Sequence, residues 1–239
     1  MSKNDFLKLQ PDHRTVLVKD MTVFNSLRDF LLNSGYVKVY ETARVGEEKT
    51  AMATFACRNL IHGDCLAVVY GISASDELAH PQAPFVYGGN EKKPEELLTY
   101  IQHLALRTSD IFKLKEHLEK QGAQFLTPIF QEKDSFGPLL QCFTRELFDD
   151  EWFFIELVQR DYNPGDIKKK AGEQFANKTV QSLYSMKQEE FREWQTTKRK
   201  PKMFEGNPEE VKKKIKSFLG NMDPQDFPKT VPCLKKIFD

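Results

Sequence analysis

The feature that most limits what this chain can fold into is an internal repeat. A strand-like run, "HRTVLVKD", leads into "MTVFNSLRDFLLNSG", whose Val23, Leu27, Phe30 and Leu31 recur at helical spacing before Gly35 stops the pattern. Three short runs rich in β-branched and aromatic residues follow, "YVKVYETARV", "TAMATFACRN" and "CLAVVYGIS", separated by Gly, Asn or charged turns. A polar stretch containing Pro and Gly comes next, "ASDELAHPQAPFVYGGNEKKPEE". The order then restarts with "YIQHLALRTSD", the helical "IFKLKEHLEKQG", and the strand-like runs "AQFLTPIF", "PLLQCFT" and "WFFIELVQR". One βαβββ unit is written twice.

Register supports the duplication, because equivalent residues of two true copies fall at matching offsets. His13 stands seven positions before Asp20, and His103 seven before Asp110, each Asp at a helix N-cap position. Both histidines are thus expected to open the first strand of their own unit. Glu156 lies 53 residues after His103, and Val68 and Val69 lie 55 and 56 after His13. The last strands correspond, and only the second carries a carboxylate. The expected organisation is an α+β fold with a first βαβββ module at 1–76, a linker at 77–98, a second module at 99–163, and C-terminal helices at 164–239.

Composition narrows the function classes. The 35 basic and 35 acidic residues give no net field for holding nucleic acid or an anionic membrane, and no apolar stretch approaches the length of a membrane span. The four cysteines include no CxxC pair, and "MSKNDFLKLQ" lacks the apolar core of a secretory signal, so a reducing cytosol is the expected compartment.

Glu156 is the residue that asks for an explanation, because "WFFIELVQR" otherwise reads as a buried strand. An unpaired buried carboxylate costs several kcal/mol or neutralises itself, so a partner cation is implied. Alternation puts His103, Ala105 and Arg107 on one strand face, and Phe154, Glu156 and Val158 on another. A metal held by His13, His103 and Glu156 would satisfy the charge. Two imidazoles and one carboxylate with open positions form the facial triad of non-haem Fe(II) oxygenases. The competing reading for each residue alone is a solvated or hydrogen-bonded side chain. That bland reading is preferred for His62, His80 and His117, in a turn, the linker and a helix face.

The stretches "QHLALRTSDI", "PLLQCFTREL" and "FFIELVQR" resemble the catalytic half of the 4-hydroxyphenylpyruvate dioxygenase family, within the vicinal oxygen chelate superfamily of paired βαβββ modules. The LLQ-x-FT strand followed by the F-x-E-x-x-QR strand carries most of the resemblance, which covers roughly residues 10 to 195. It implies a cupped mixed sheet around Fe(II), with His13, His103 and Glu156 as ligands and Gln141 beside the metal as a catalytic and substrate-contacting residue. It also implies that "GEQFANKTVQSLYSMKQEE" is a gating helix, with Phe175, Asn177 and Leu183 toward the substrate. Phe143, Phe154 and Phe175 would supply apolar walls, although ordinary core packing is the alternative for each.

The activity implied by the resemblance is oxidative decarboxylation of a 2-oxo acid with dioxygen and hydroxylation of the same molecule, in a homodimer. An extradiol ring-cleaving dioxygenase or a non-catalytic small-molecule-binding protein of the same fold are the alternatives. Two departures from the family bear on substrate. Its Ser and Asn on the inner strands of the first module are replaced here by residues such as Met52 or Thr54, and Gly71, and the chain begins almost at the catalytic module, which implies a single-barrel homologue. The last segment holds a further expected helix, "PEEVKKKIKSFLG", with Val211, Ile215 and Phe218 on one face and no assigned function.

Overall fold

The computed structural model describes residues 5–61, 63–74, 77–89, 93–162, 172, 174–220, 222, 231 and 234. In chain order the first half comprises β1 (Gln10–Val18), α1 (Met21–Asn33), β2 (Tyr36–Gly46), β3 (Thr50–Asn59) and β4 (Cys65–Ser73). The second comprises β5 (Thr99–Arg107), α3 (Ile111–Lys120), β6 (Phe130–Asp134), β7 (Gly137–Phe143) and β8 (Phe154–Arg160). Between them, the segment expected as a plain linker carries α2 (Ala83–Tyr87) and two 3-10 turns, His80–Gln82 and Pro94–Glu96. The C-terminal part holds α4 (Asn177–Thr197) and α5 (Pro208–Leu219).

Both repeat helices start as their sequences dictate. Asp20 accepts a hydrogen bond from the Val23 N–H at 2.9 Å, and Asp110 one from the Lys113 N–H at 3.0 Å, each satisfying a donor that the first helical turn leaves free. The strands form one curled mixed sheet in the order β2-β3-β4-β1-β5-β8-β7-β6. Each half repeats the same pairing: β1 runs parallel to β4, as β5 does to β8, and the halves join through the antiparallel β1–β5 pair at the centre.

Strand parity divides the residues between the two faces. On the convex face Leu104, Leu106, Ile155, Leu157 and Cys142 pack against Ile111, Leu114 and Leu118 of α3, and Val211, Ile215 and Phe218 of α5 join the same core. Val18, Phe55, Cys57 and Val68 meet Phe24 and Leu31 of α1 in the equivalent layer of the first half. The concave face is covered by α4, which presents Thr179, Val180, Leu183, Tyr184 and Lys187, spaced at three to four residues, to the sheet. Gly46 makes that docking close: its φ is 145°, a Cβ there would lie 2.8 Å from the Tyr184 ring, and its N–H donates to Gln181 Oε1 at 3.1 Å.

Three expectations are corrected. The histidines do not open their strands: β1 begins three residues before His13 and β5 four before His103, because Gln10 and Pro11 continue the ladder opposite Arg107 and Leu106. The run "AQFLTPIF" does not form a strand along its length. Phe125 makes a single bridge to Thr144, and the strand proper is Phe130–Asp134, beyond Pro128, which has no N–H to give a ladder. Third, with His13 equivalent to His103, Thr15 matches Ala105; their parallel partners are Ala67 and Glu156, so the counterpart of Glu156 is Ala67 rather than Val68 or Val69.

Candidate metal centre

Register explains how three distant residues meet. His13, Ala105 and Glu156 lie in one row across β1, β5 and β8, and Thr15, His103 and Phe154 lie in the next row on the same face. Ala105 has only a methyl group between two long side chains, so His13 and Glu156 reach over it toward each other. Glu156 Oε2 lies 3.1 Å from His13 Nε2 and 3.3 Å from His103 Nε2. The three prospective ligand atoms fall within 4.8 Å of one another, and all three residues are buried.

Each member is oriented by a neighbour. His13 Nδ1 sits 3.0 Å from Asp12 Oδ1, so the Nδ1–H donates to that carboxylate and Nε2 is left facing Glu156. His103 Nε2 also lies 2.9 Å from Thr15 Oγ1. Gln141 Nε2 donates to Glu156 Oε1 at 2.6 Å, and the Gln141 Oε1 is buried with no partner. Burial opposes charge on all three ligand side chains. Even so, the two imidazoles hold the Glu156 carboxyl down at about 2, and Glu156 and Asp12 push the His13 imidazolium up to about 9. For His103 burial prevails over Glu156 and its titration is lowered. A carboxylate kept ionised between two imidazole nitrogens, in a site this buried, has the donor chemistry of a divalent transition-ion site.

Asp12 is held in turn. It is the extra residue of a bulge between Pro11 and His13, which turns it out of simple alternation. Its Oδ2 accepts from Arg107 Nη2 at 2.5 Å and Arg160 Nε at 3.0 Å, and Oδ1 from Arg160 Nη2 at 3.2 Å. Arg160 also donates to Asp134 Oδ2, to Tyr162 Oη at 2.9 Å and to the Gln174 carbonyl at 3.1 Å. Burial works against ionisation here as well, but Arg160, His13 and Arg107 keep the Asp12 carboxyl well below the usual carboxylate range.

The three residues open onto a cavity of about 560 Å³, part of it open to solvent. Of the side chains singled out in the sequence, Gln141, Phe143, Phe154, Phe175 and Leu183 line it. Phe175 packs edge-on against His13 with ring centroids 4.9 Å apart, and Phe154 lies 4.8 Å from the His103 ring. Asn177 is not among the lining residues; its Oδ1 accepts from the Tyr40 hydroxyl at 2.7 Å, anchoring the start of α4 to β2. Met52 and Thr54 line the first-half wall. His62 and residues 163–171 lie outside the described residues, and His117 of α3 pairs with Gln121, the residue that follows the helix.

His80, read from the sequence as an ordinary linker residue, stands in the cavity wall. The 3-10 turn at 80–82 packs on β4 where Gly71 leaves room, since a Cβ there would come within 2.7 Å of Gln82 Cγ, and His80 becomes part of the cavity wall. The residues that sequence reasoning missed are Asp12, Thr15, His80, Gln102, Thr179, Tyr184 and Lys187. Asp12 stands immediately before His13, but a bulge has no reliable signature; the α4 residues follow an i, i+4 stripe that resembles any amphipathic helix.

No family model matches the chain. A 4-hydroxyphenylpyruvate dioxygenase-like protein from Rattus norvegicus is 28% identical over 120 residues, a match covering 38% of this chain and 29% of that protein. A mutant of 4-hydroxymandelate synthase from Streptomyces coelicolor superposes with a TM-score of 0.60 at 18% identity, over 77% of this chain and 55% of that one. Methylmalonyl-CoA epimerase from Mycobacterium tuberculosis is more distant, with a TM-score of 0.45 at 15% identity, over 68% of this chain and 93% of that one. The chain therefore matches about half or less of the first two proteins. Its sheet is the paired βαβββ arrangement of the vicinal oxygen chelate fold, and its sequence resembles the 4-hydroxyphenylpyruvate dioxygenase-like protein. Among the described residues no helix is long and apolar enough to cross a membrane.

Proposed function

We propose that this chain is a non-haem Fe(II)-dependent dioxygenase that oxidatively decarboxylates a 2-oxo acid and hydroxylates the same molecule. The observation that carries the reading is the His13–His103–Glu156 cluster opening, beside Gln141, onto a single cavity. The names of the relatives support it, one being dioxygenase-like and the other a synthase of 4-hydroxymandelate. When bound, Fe(II) supplies the electron-transfer chemistry between the 2-oxo acid and dioxygen.

The chain's own residues do the rest. His13, His103 and Glu156 would hold the ion, and three protein ligands would leave it coordination positions for substrate and dioxygen. Asp12 fixes the His13 tautomer that points Nε2 inward. Gln141, committed to Glu156 through its N–H, offers an unpartnered carbonyl oxygen to a donor on the substrate. Phe143, Phe154, Phe175 and Leu183 keep the reacting end dry, and α4 closes the concave face against water.

The test is dioxygen uptake and carbon dioxide release by the Fe(II)-loaded protein with 4-hydroxyphenylpyruvate, alongside metal content of Glu156→Ala. Uptake with decarboxylation, lost together with iron in the variant, supports the reading; stoichiometric iron with no uptake on a panel of 2-oxo acids refutes it. A second reading, extradiol ring cleavage, gains from one observation: His80 and Tyr184, with ring centroids 5.0 Å apart, line the same cavity. Uptake with a catechol and no carbon dioxide release would select that reading.

A further inference from the structure

The cavity shares a wall with a neighbouring chamber. His80, Gln102, Phe154 and Lys187 line both this cavity and a second chamber bounded by Leu17, Glu146, Trp152, Phe191 and Trp194, whereas His13, Glu156 and Gln141 border only the first. These four side chains are thus a wall shared by the two chambers, with Phe154 standing beside the His103 ring. On this shared wall the Nε2 of His80 is buried with no hydrogen-bond partner, and so are the hydroxyls of Thr54 and Thr179 elsewhere on the cavity wall. Orphaned buried polar atoms of this kind are uncommon and ask for a ligand.

We propose that His80 reads the substrate from the cavity wall, through a hydrogen bond between its Nε2 edge and an uncharged hydroxyl. The inference rests on the 2-oxo acid reading and adds to it the residue that sets specificity. His80 is held in place from three sides: its backbone N–H donates to Gln188 Oε1 at 2.8 Å, its ring packs on Tyr184, and Gly71 admits its turn against β4. Burial and the neighbouring Lys187 charge keep its imidazole neutral. A neutral imidazole nitrogen matches a hydroxyl in either tautomer, since the hydroxyl both donates and accepts.

The surroundings disfavour an anionic group at the same place. Lys187 is the nearby cation, but its ammonium donates to Glu146 Oε1 at 2.9 Å and to Glu190 Oε2 at 2.8 Å, and it lies 4.3 Å from the Phe154 ring. Its donors are committed and its charge is balanced by two carboxylates, so it has little to offer a ligand carboxylate.

The experiment compares anaerobic Kd values of 4-hydroxyphenylpyruvate and phenylpyruvate, which differ only in the distal hydroxyl, for the Fe(II)-loaded wild type, His80→Phe and His80→Gln. One good neutral hydrogen bond predicts that the wild type favours the hydroxylated acid by roughly tenfold. In His80→Phe the ratio should collapse to about one, and in His80→Gln, which keeps a hydrogen-bonding edge, part of the preference should return. A ratio unchanged in His80→Phe, or a wild type indifferent to the hydroxyl while binding both acids, overturns the proposal and leaves the 2-oxo acid reading intact. Binding of neither acid by wild type that holds stoichiometric iron overturns both.

Discussion

Asp12→Asn tests the link between fold and metal centre most sharply, because it removes the charge and turns one acceptor oxygen into an NH₂ donor while keeping shape. The carboxylate accepts from His13, Arg107 and Arg160 at once, in a fully buried setting. An amide has one acceptor oxygen, and either orientation fails. With the carbonyl toward His13, its NH₂ meets the Arg107 and Arg160 donors on the other side; with the carbonyl toward the arginines, the NH₂ opposes the His13 Nδ1–H. Neutralising position 12 also leaves Arg107 and Arg160 with Asp134 as the remaining carboxylate on the network.

Two effects of different size follow. Breaking one partner out of a buried ion cluster costs about 3–5 kcal/mol. At about 2–4 °C per kcal/mol for a chain of this length, the metal-free Tm should fall by roughly 6–20 °C. Loss of the group that orients a ligating imidazole costs about 10–100-fold in metal affinity. The assays are thermal unfolding followed by circular dichroism, and Fe(II) or Co(II) titration against a competing chelator at a temperature where the variant is folded. Metal affinity within about twofold of wild type in a folded Asp12→Asn protein would refute the argument that His13 is positioned through Asp12.

Ala105→Leu should fold, at an overpacking cost of about 1–3 kcal/mol, yet fail to bind metal, because its side chain fills the gap across which His13 and Glu156 meet; full metal occupancy would refute the row geometry. Lys187→Met leaves Glu146 and Glu190 buried without their shared cation, at about 3–5 kcal/mol, and should raise amide exchange selectively along α4; uniform exchange across the sheet and α4 would contradict its role as a clamp. Lys200, buried against Trp152, has its ammonium pulled from the usual 10.5 down to about 8 by burial. Between pH 8 and 10.5 the unfolded chain keeps a proton that the folded chain has lost, so wild type should gain stability relative to Lys200→Met as pH rises through that window, and a flat difference would refute the shift.

The duplication, the order of elements in each half and the two aspartate caps were legible because each is local. Strand and helix periodicities and helix-start chemistry act over a few residues, and equal offsets betray a copied unit. The placing of β6 was not, since a Pro within an apolar run displaces a strand by an amount set by what its partner offers. The sequence singled out His13, His103 and Glu156 from the repeat and from the oddity of a carboxylate in an apolar strand. Their approach to within hydrogen-bonding distance depends on the β1–β5 and β5–β8 registers and on the small side chain at Ala105.

Gln141, Phe143, Phe154, Phe175 and Leu183 were already named from the sequence, but the rest of what surrounds those three residues belongs to the tertiary structure alone. Asp12 reaches His13 and two arginines only because of a bulge; His80 reaches the cavity only because a connecting segment folds back on β4 at Gly71. Lys187 becomes a cavity residue because α4 crosses the concave face after the sheet is complete. A sequence specifies which side chains exist and which face of their own element they occupy. Which of those faces meet is decided by contacts between residues far apart in the chain, such as His13 with Phe175, Asp12 with Arg160 and His80 with Gln188, where no local pattern reaches.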